Sequence, residues 1–365
     1  DVCSSDLPDQ RLIQDSMVRL CAGLGGPARM RAMAGTQGQV DAQAMSQLQE
    51  AGWLKLLCPE SAGGWGLGLF DLALVMEAAG QSLLHAPLAE VCASHWLLSQ
   101  CQAPTSDDTL PCWIEPNDPY RRWALWPQVR MENSVWRLSG KIQGPRFASH
   151  ARQLIVPAQG PEGFLLCLVS ADAAGLAWDR GVDVDDVSSA VLTLQGVAVD
   201  LTQILAHGQQ AQTLYKQLGQ ILQIATSAAL LGVSIKSHEL TLEHLRTRRQ
   251  FGRALASFQA LQHRCVDAFV QLELNRSLVF RVAQAWDRQQ HHPAMAHATK
   301  ARTSKSALAI TRLALQMHGA MGYTQAHDIG LYHRRALAWT ASYGNDNHHA
   351  AAFARQSGMV QGRAS

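Results

Sequence analysis

Helices, then a block of short strands, then longer helices: the hydrophobic periods along these 365 residues predict an α+β fold, mainly α, in three successive parts. Three observations carry that prediction. Apolar residues recur at three- and four-residue spacing through residues 10–98, as a buried helix face requires. Between about Leu110 and Leu205 the pattern changes to short alternating or β-rich runs punctuated by Ser139-Gly140, Gln159-Gly160 and Gln195-Gly196. From Gln209 to Gly252 there is no proline, so nothing obliges a long helix to stop. Apolar residues make up 47% of the chain and charged residues 16%, against a typical charged share of about 25%. That balance excludes a disordered chain and suggests surface hidden against other subunits. The net charge of +2, a pI near 8.2 and the lack of a basic stripe interleaved with aromatics exclude a nucleic-acid partner.

The N-terminal helical part is expected over residues 8–109, with helices at 10–24, 40–57, 70–84 and 88–98. The second and third are separated by Pro59-Glu60-Ser61-Ala62-Gly63-Gly64-Trp65-Gly66, where glycines make left-handed backbone cheap. The middle part, residues 110–208, reads as an antiparallel β-domain with strands at 135–138, 153–157, 164–169 and 190–199. A helical bundle follows over residues 209–356, then a tail over 357–365. The opening string Asp1-Val2-Cys3-Ser4-Ser5-Asp6-Leu7 resembles an in-frame translation of a sequencing-adapter oligonucleotide and is set apart from the fold. It has neither the basic flank nor the apolar core of a secretory signal. The eight cysteines include no CxxC pair and several sit in apolar runs, which points to reduced, buried thiols and a cytoplasmic protein. The uncharged stretch 217–235 approaches bilayer length, but Gln217, Gln220, Gln223, Thr226, Ser227 and Ser234 interrupt it. A buried bundle helix, and no membrane partner, is the reading.

Four motifs narrow the family. Ala51-Gly52-Trp53-Leu54 with Cys58-Pro59-Glu60 and Gly63-Gly64-Trp65-Gly66 comes first, then Trp136-Arg137-Leu138-Ser139-Gly140-Lys141. Arg248-Arg249-Gln250-Phe251-Gly252 follows, with Phe258-Gln259-Ala260-Leu261-Gln262-His263. The last is Gln316-Met317-His318-Gly319-Ala320-Met321-Gly322-Tyr323-Thr324. In this order and spacing they resemble the signatures of the acyl-CoA dehydrogenases over nearly the whole chain. The resemblance implies a helical N-domain, an antiparallel β-barrel-like middle domain and a C-terminal four-helix bundle. It also implies FAD as cofactor and assembly through the bundle.

The chemistry of the last two motifs can be stated from the residues. A pyrophosphate takes two parallel charge-assisted hydrogen bonds from an arginine, which lysine cannot reproduce. Arg248 stands just before the turn at Phe251-Gly252, and Gly319 and Gly322 let backbone approach a ligand. Read alone, Arg248 among Arg246, Arg249 and Arg253 is more readily a solvated basic patch, and Gly319 to Gly322 more readily still a helix stop. The resemblance assigns Arg248, Gln250, Phe251, Phe258, Gln259, Gln316, Met317, His318, Gly319 and Ala320 to the ADP half of an FAD whose ring sits in the neighbouring subunit.

Two expected features are missing. The family's flavin-ring contacts come from an acidic stretch ending in GSD and from a tryptophan-to-threonine string after the "G.K" strand. Here the first region reads Trp113-Ile114-Glu115-Pro116-Asn117-Asp118-Pro119-Tyr120-Arg121-Arg122, and the second reads Ile142-Gln143-Gly144-Pro145-Arg146-Phe147. The α-proton of the thioester needs a partly desolvated carboxylate as base. By count from the motifs, the family's two base positions fall at Leu222 and Tyr343, so no catalytic base is assigned. Glu239 and Glu243 share a helical face and read as solvated charges. Asp346 is a reserve candidate. His318, His327, His333, His348 and His349 with Asp346 invite a metal, but no closed-site spacing is present and none is expected.

The expectation is therefore one subunit of an FAD-dependent acyl-CoA dehydrogenase, paired with a second dehydrogenase-like chain as α2β2. Bacterial steroid- and sterol-catabolic enzymes of the family resemble this arrangement. An electron-transferring flavoprotein is the expected acceptor. Two alternatives stand beside it: a flavin-free structural homologue, and a self-sufficient homotetramer using Glu239 or Asp346.

Overall fold

Forty residues of unbroken helix, α6 (Gly208–Thr247), are the longest element of the chain. Its most apolar window is long enough to cross a membrane, the one such helix among the described residues, yet 89% of that window is buried in the protein. It is a core helix. The structure, a computed structural model, describes residues 8–36, 38–112, 126–132, 135–290 and 292–359. Before α6 come α1 (Pro8–Leu24), α2 (Gly26–Met33), α3 (Ala42–Glu50), α4 (Leu69–Gln81) and α5 (Leu88–Gln100). Eight strands follow: β1 (Thr109–Pro111), β2 (Gln128–Glu132), β3 (Val135–Gln143), β4 (Gln153–Gly160), β5 (Gly163–Ser170), β6 (Leu176–Val182), β7 (Ser188–Val199) and β8 (Ile204–His207). After α6 a short hairpin, β9 (Arg249–Gln250) and β10 (Arg253–Ala254), leads into α7 (Gln259–Asp287), α8 (Pro293–His318), α9 (Ile329–Ala341) and α10 (Asp346–Gln356).

These elements pack into two units that interleave along the chain. The helical unit takes the segments ending at Ala32, spanning Gly68–Leu84 and beginning at Gln223; the other takes Met33–Leu67 and His85–Leu222. In the helical unit, α4 and α6 cross at glycines. A Cβ on Gly80 would stand 2.1 Å from the Ala229 carbonyl oxygen, and one on Gly232 would stand 2.0 Å from that of Glu77. No side chain fits there. The N-terminus of α4 lacks a side-chain cap of its own; Asp287, the last residue of α7, accepts hydrogen bonds from Leu69 N (2.7 Å) and Phe70 N (2.9 Å). The C-terminus of α9 is closed by Lys300, fully buried on α8. Its ammonium donates to Trp339 O (3.0 Å), Thr340 O (3.3 Å), Gly344 O (3.4 Å) and Ser304 Oγ (3.1 Å). A cation at the C-terminus of α9 answers both the unpaired carbonyls and the helix dipole.

In the other unit the strands run β6-β7-β3-β2-β4-β5-β8, with β1 beside β4. Most neighbours are antiparallel, as expected, but β1–β4 and the single β2–β4 pair Gln128↔Gln159 are parallel. The sheet is therefore mixed, and its hydrogen-bonded order is an open path. Along β7 inward and outward residues alternate, the two-residue period that made it legible as a strand. The helix expected at 40–57 is broken: Gly52, at φ 76°, ends α3 and starts a 3-10 turn over Trp53–Lys55. Likewise α2 is a separate helix because Gly25 and Gly26 both take positive φ.

Candidate functional site

The residues assigned to nucleotide contact collect at one end of the helical unit. Leu245 of α6, Cys265 of α7 and Met317 of α8 form a buried apolar cluster, with Leu255, Leu261 and Leu313 packed on it. This cluster brings together the end of α6, the start of α7 and the end of α8.

Arg248 follows directly on α6. Its backbone is fixed on both sides, N–H to His244 O (2.8 Å) and carbonyl to Leu255 N (2.9 Å), while its side chain is exposed. The next six residues form a two-residue hairpin in which Arg249 pairs with Ala254 and Gln250 with Arg253. Phe251 (φ 54°) and Gly252 (φ 77°) are both left-handed, the type I′ geometry that matches strand twist. Glycine takes that conformation freely; phenylalanine does so at a cost of about 1–3 kcal/mol. The Phe251 ring is 87% exposed, so no burial in this chain offsets that strain. Arg253 lies over the Phe258 ring at 3.9 Å, and Phe251 meets that ring edge-on at 6.1 Å. Arg246, Arg248, Arg249 and Arg253 have no carboxylate partner among the described residues. Phe258 precedes α7 as its N-cap and gives that helix no side-chain acceptor, which leaves the first amides, Gln259 and Ala260, open to an anion.

Across the cluster, α8 ends at His318. Gly319 has φ 62° and ψ −143°, which only glycine adopts readily, and nothing stands within 4 Å of where its Cβ would be. Gln316, Gly319 and Ala320 are exposed, whereas Met317 and His318 turn inward. His318 stacks on His244 at 4.4 Å and meets His327 at 4.6 Å. Sequence reading assigned His318 to the nucleotide, weighed His327 only for a metal, and missed His244. His244 lies one helical turn before Arg248; nothing local ties His327 to the motif.

An arginine without a counter-ion, an uncapped helix N-terminus, an exposed aromatic ring and an open glycine turn suit a dinucleotide's pyrophosphate and adenine. The positions expected to meet the flavin ring do not suit it. In the sheet unit Arg146 is buried, donating to Asp183 Oδ2 (2.9 Å) and Asp185 Oδ2 (2.8 Å). Phe147 is buried against His85, and Gln143 Nε2 donates to Ala190 O. These side chains serve the unit's own interior. The Trp113–Arg122 stretch lies outside the described residues.

The base positions are equally unsuited. Leu222 is fully buried in α6. Tyr343 is buried at φ 58°, its carbonyl accepting from His349 Nε2 (3.0 Å). Glu239 pairs with Lys236 on the surface (3.0 Å), and Glu243 is exposed. Asp346 opens α10 in its first turn, where a carboxylate complements the dipole. Of the C-terminal histidines, His349 contacts His297 Nδ1 (2.8 Å) and His333 contacts Thr311 Oγ1 (2.9 Å). Among the described residues no three His, Cys, Asp or Glu side chains converge as a metal site would need.

A helical unit and a sheet unit, the first with a nucleotide-suited bundle end, define a class, and comparison with known proteins names it. Residues 8–100 match the acyl-CoA dehydrogenase N-terminal domain and residues 221–358 its C-terminal domain. The chain belongs to the acyl-CoA dehydrogenase family. It is 27% identical over 342 residues to the acyl-CoA dehydrogenase IpdE2 of Mycobacterium tuberculosis, covering 90% of this chain and 91% of that protein. Among solved structures, the Tcur3481–Tcur3483 steroid ACAD superposes with a TM-score of 0.86 at 23% identity, covering 96% of this chain and 98% of that one. The ChsE4–ChsE5 complex of M. tuberculosis gives 0.86 at 21% identity, covering 99% and 100%. Homologues in this family are FAD-dependent, with members solved holding FAD or FADH2.

Proposed function

We propose that this chain is one of two unlike subunits of a cytoplasmic, FAD-dependent acyl-CoA dehydrogenase, assembled as α2β2. One observation carries the reading: the nucleotide end of the bundle is open and cationic, while the two base positions are buried and the described flavin-ring position at Arg146-Phe147 is filled by a buried ion pair and a buried ring. Decay would erode both together. A division of labour keeps the part that reaches a neighbour's cofactor and lets the rest go.

In that division Arg248 grips pyrophosphate oxygens through its guanidinium, and the first amides of α7 add donors at the same end. Phe251 and Phe258 offer flat apolar surface to adenine, and the Gly319 turn lets backbone come close. Bound flavin supplies the hydride acceptor for Cα–Cβ dehydrogenation of the thioester. The base and the ring's hydrogen bonds come from the partner chain. Exposed apolar residues on α7, Val266, Phe269, Val270 and Leu274, supply a face for that partner to cover. Solved relatives with two-protein names, the ChsE4–ChsE5 complex and the Tcur3481–Tcur3483 steroid ACAD, support a paired, steroid-sized reading. An electron-transferring flavoprotein is the proposed acceptor.

Co-expression with a dehydrogenase-like chain that carries GSD and a helix glutamate tests this. The pair should form enoyl-CoA, with steroid-derived CoA esters turned over faster than octanoyl-CoA. Placing glutamate in this chain, as Leu222→Glu or Tyr343→Glu, should not make it active alone. Activity of the unmodified chain without any partner would overturn the reading.

A further inference from the structure

Three imidazoles from three elements meet behind the nucleotide motif: His244 in the last turn of α6, His318 at the end of α8, and His327 in the connection to α9. His318 Nδ1 lies 2.7 Å from Ala314 O, so it carries the proton and donates. Its Nε2 is then a bare acceptor, buried and without a hydrogen-bond partner among the described residues. His327 Nδ1 accepts from Ile329 N (3.2 Å), which puts that ring's proton on Nε2. Both assignments describe neutral rings, and neutral rings can sit this close, His244 stacked on His318 at 4.4 Å and His327 tilted against it at 4.6 Å.

We propose that His244 and His327 are positioning residues for the nucleotide-binding turn, clamping His318 between them in a contact that opens when His318 and His244 take up protons. The inference rests on reading this end of the bundle as a nucleotide site. Because Gly319 follows His318 directly, the ring's place fixes where the Gly319–Tyr323 turn begins. The far side of the turn is also held: Arg31 of α2 donates to Gln325 O (3.3 Å) and Ala326 O (2.9 Å), and pairs with Asp328 (2.6 Å).

The charges facing the stack favour its neutral form. From α6 come His244 and Arg248, from α8 His318 itself, and from the connection His327 and Asp328; Asp328 is already matched by Arg31 of α2. Burial pushes His318 below the ordinary imidazole range, with His244 and His327 adding to the effect and the Ala314 hydrogen bond opposing it. Burial does the same to His244, helped by His327 and Arg248. As pH falls below that range, like charges accumulate on His318 and His244, whose rings are in contact, and the pair repels itself.

Hydrogen–deuterium exchange on the full chain, corrected for intrinsic rates, reads the clamp without any ligand. Between pH 7.5 and 5.0 the Gly319–Tyr323 amides should lose about tenfold in protection, roughly the population shift that a 1.4 kcal/mol repulsion gives. In the double variant His244→Phe with His327→Phe, which keeps aromatic contact on His318 without the facing imidazoles, protection should stay level. The single variant His244→Phe, at a half-buried position, serves if the double variant does not fold, and should show a shallower loss. ADP is the probe for coupling: its affinity should fall with pH in the wild-type chain and stay flat in the variant. Level protection in the wild type, or an unchanged loss in both variants, overturns the clamp. Exchange behaving as described with no ADP bound at either pH, by the chain alone or by the co-expressed pair, upholds the clamp and overturns the nucleotide assignment instead.

Discussion

At Arg248 the backbone is held by His244 and Leu255 while the guanidinium faces outward without a carboxylate partner. If it grips a pyrophosphate in the assembled pair, Arg248→Ala should weaken FAD retention by about 2–5 kcal/mol, the usual cost of removing one side of a buried charged contact. Arg248→Lys should rescue only in part, for want of the bidentate geometry. Flavin occupancy after gel filtration, with folding checked by circular dichroism, measures this; full occupancy in the alanine variant contradicts the role. A second residue sets the acid limit of the helical unit. Burial first, then the neighbouring Lys300, hold His349 pushed down to about 2, so it stays neutral when folded. Unfolded, it takes a proton below about pH 6.5. Stability should therefore be level above that pH and fall below it by up to about 1.4 kcal/mol per pH unit for this group. Urea melts from pH 7.5 to 4.5 read the slope, and His349→Gln, which keeps a donor for Tyr343 O, should flatten it. At this scale the sequence was informative about residue type and silent about direction. Arg248, Gln250 and Phe251 were legible from their motif and are exposed. Met317 and His318, from an equally clear motif, face inward, because their direction is set by where α8 ends on its own helical turn.

Among the elements, the crossing of α4 and α6 is set by two glycines that sequence periodicity treats only as weak points in a helix. Gly80 and Gly232 each bring the opposite backbone to within about 2 Å of where a Cβ would be. Gly232→Ala should force the helices apart and cost at least about 1–3 kcal/mol, the usual penalty of overpacking. A chemical denaturation midpoint measures it, and an unchanged midpoint would contradict the packing described. Each partner's reason for its glycine lies about 150 residues away in the chain. Strands behaved alike: the alternating run of β7 was readable, whereas the parallel placement of β1 on β4 depends on pairing that no local pattern encodes.

For the whole molecule, the order helices, strands, helices was legible because each block has its own hydrophobic period. The packing of those blocks was not. α1, α2 and α4 join the bundle while α3 and α5 join the sheet, a partition decided by long-range burial such as the reach of Asp287 back to α4. Function divides along the same line between what the motifs state and what their absence implies. On the proposed reading the bundle end keeps a nucleotide's partners and Leu222 and Tyr343 stand where a base would be, while Arg146 is committed to Asp183 and Asp185. The most direct measurement is flavin content per chain, by absorbance against protein concentration, for the purified chain alone and for the chain co-purified with its dehydrogenase-like partner. The account predicts almost no flavin in the chain alone, and one FAD per unlike pair in the yellow complex. One FAD per chain in the homomer, with enoyl-CoA formed, would contradict it.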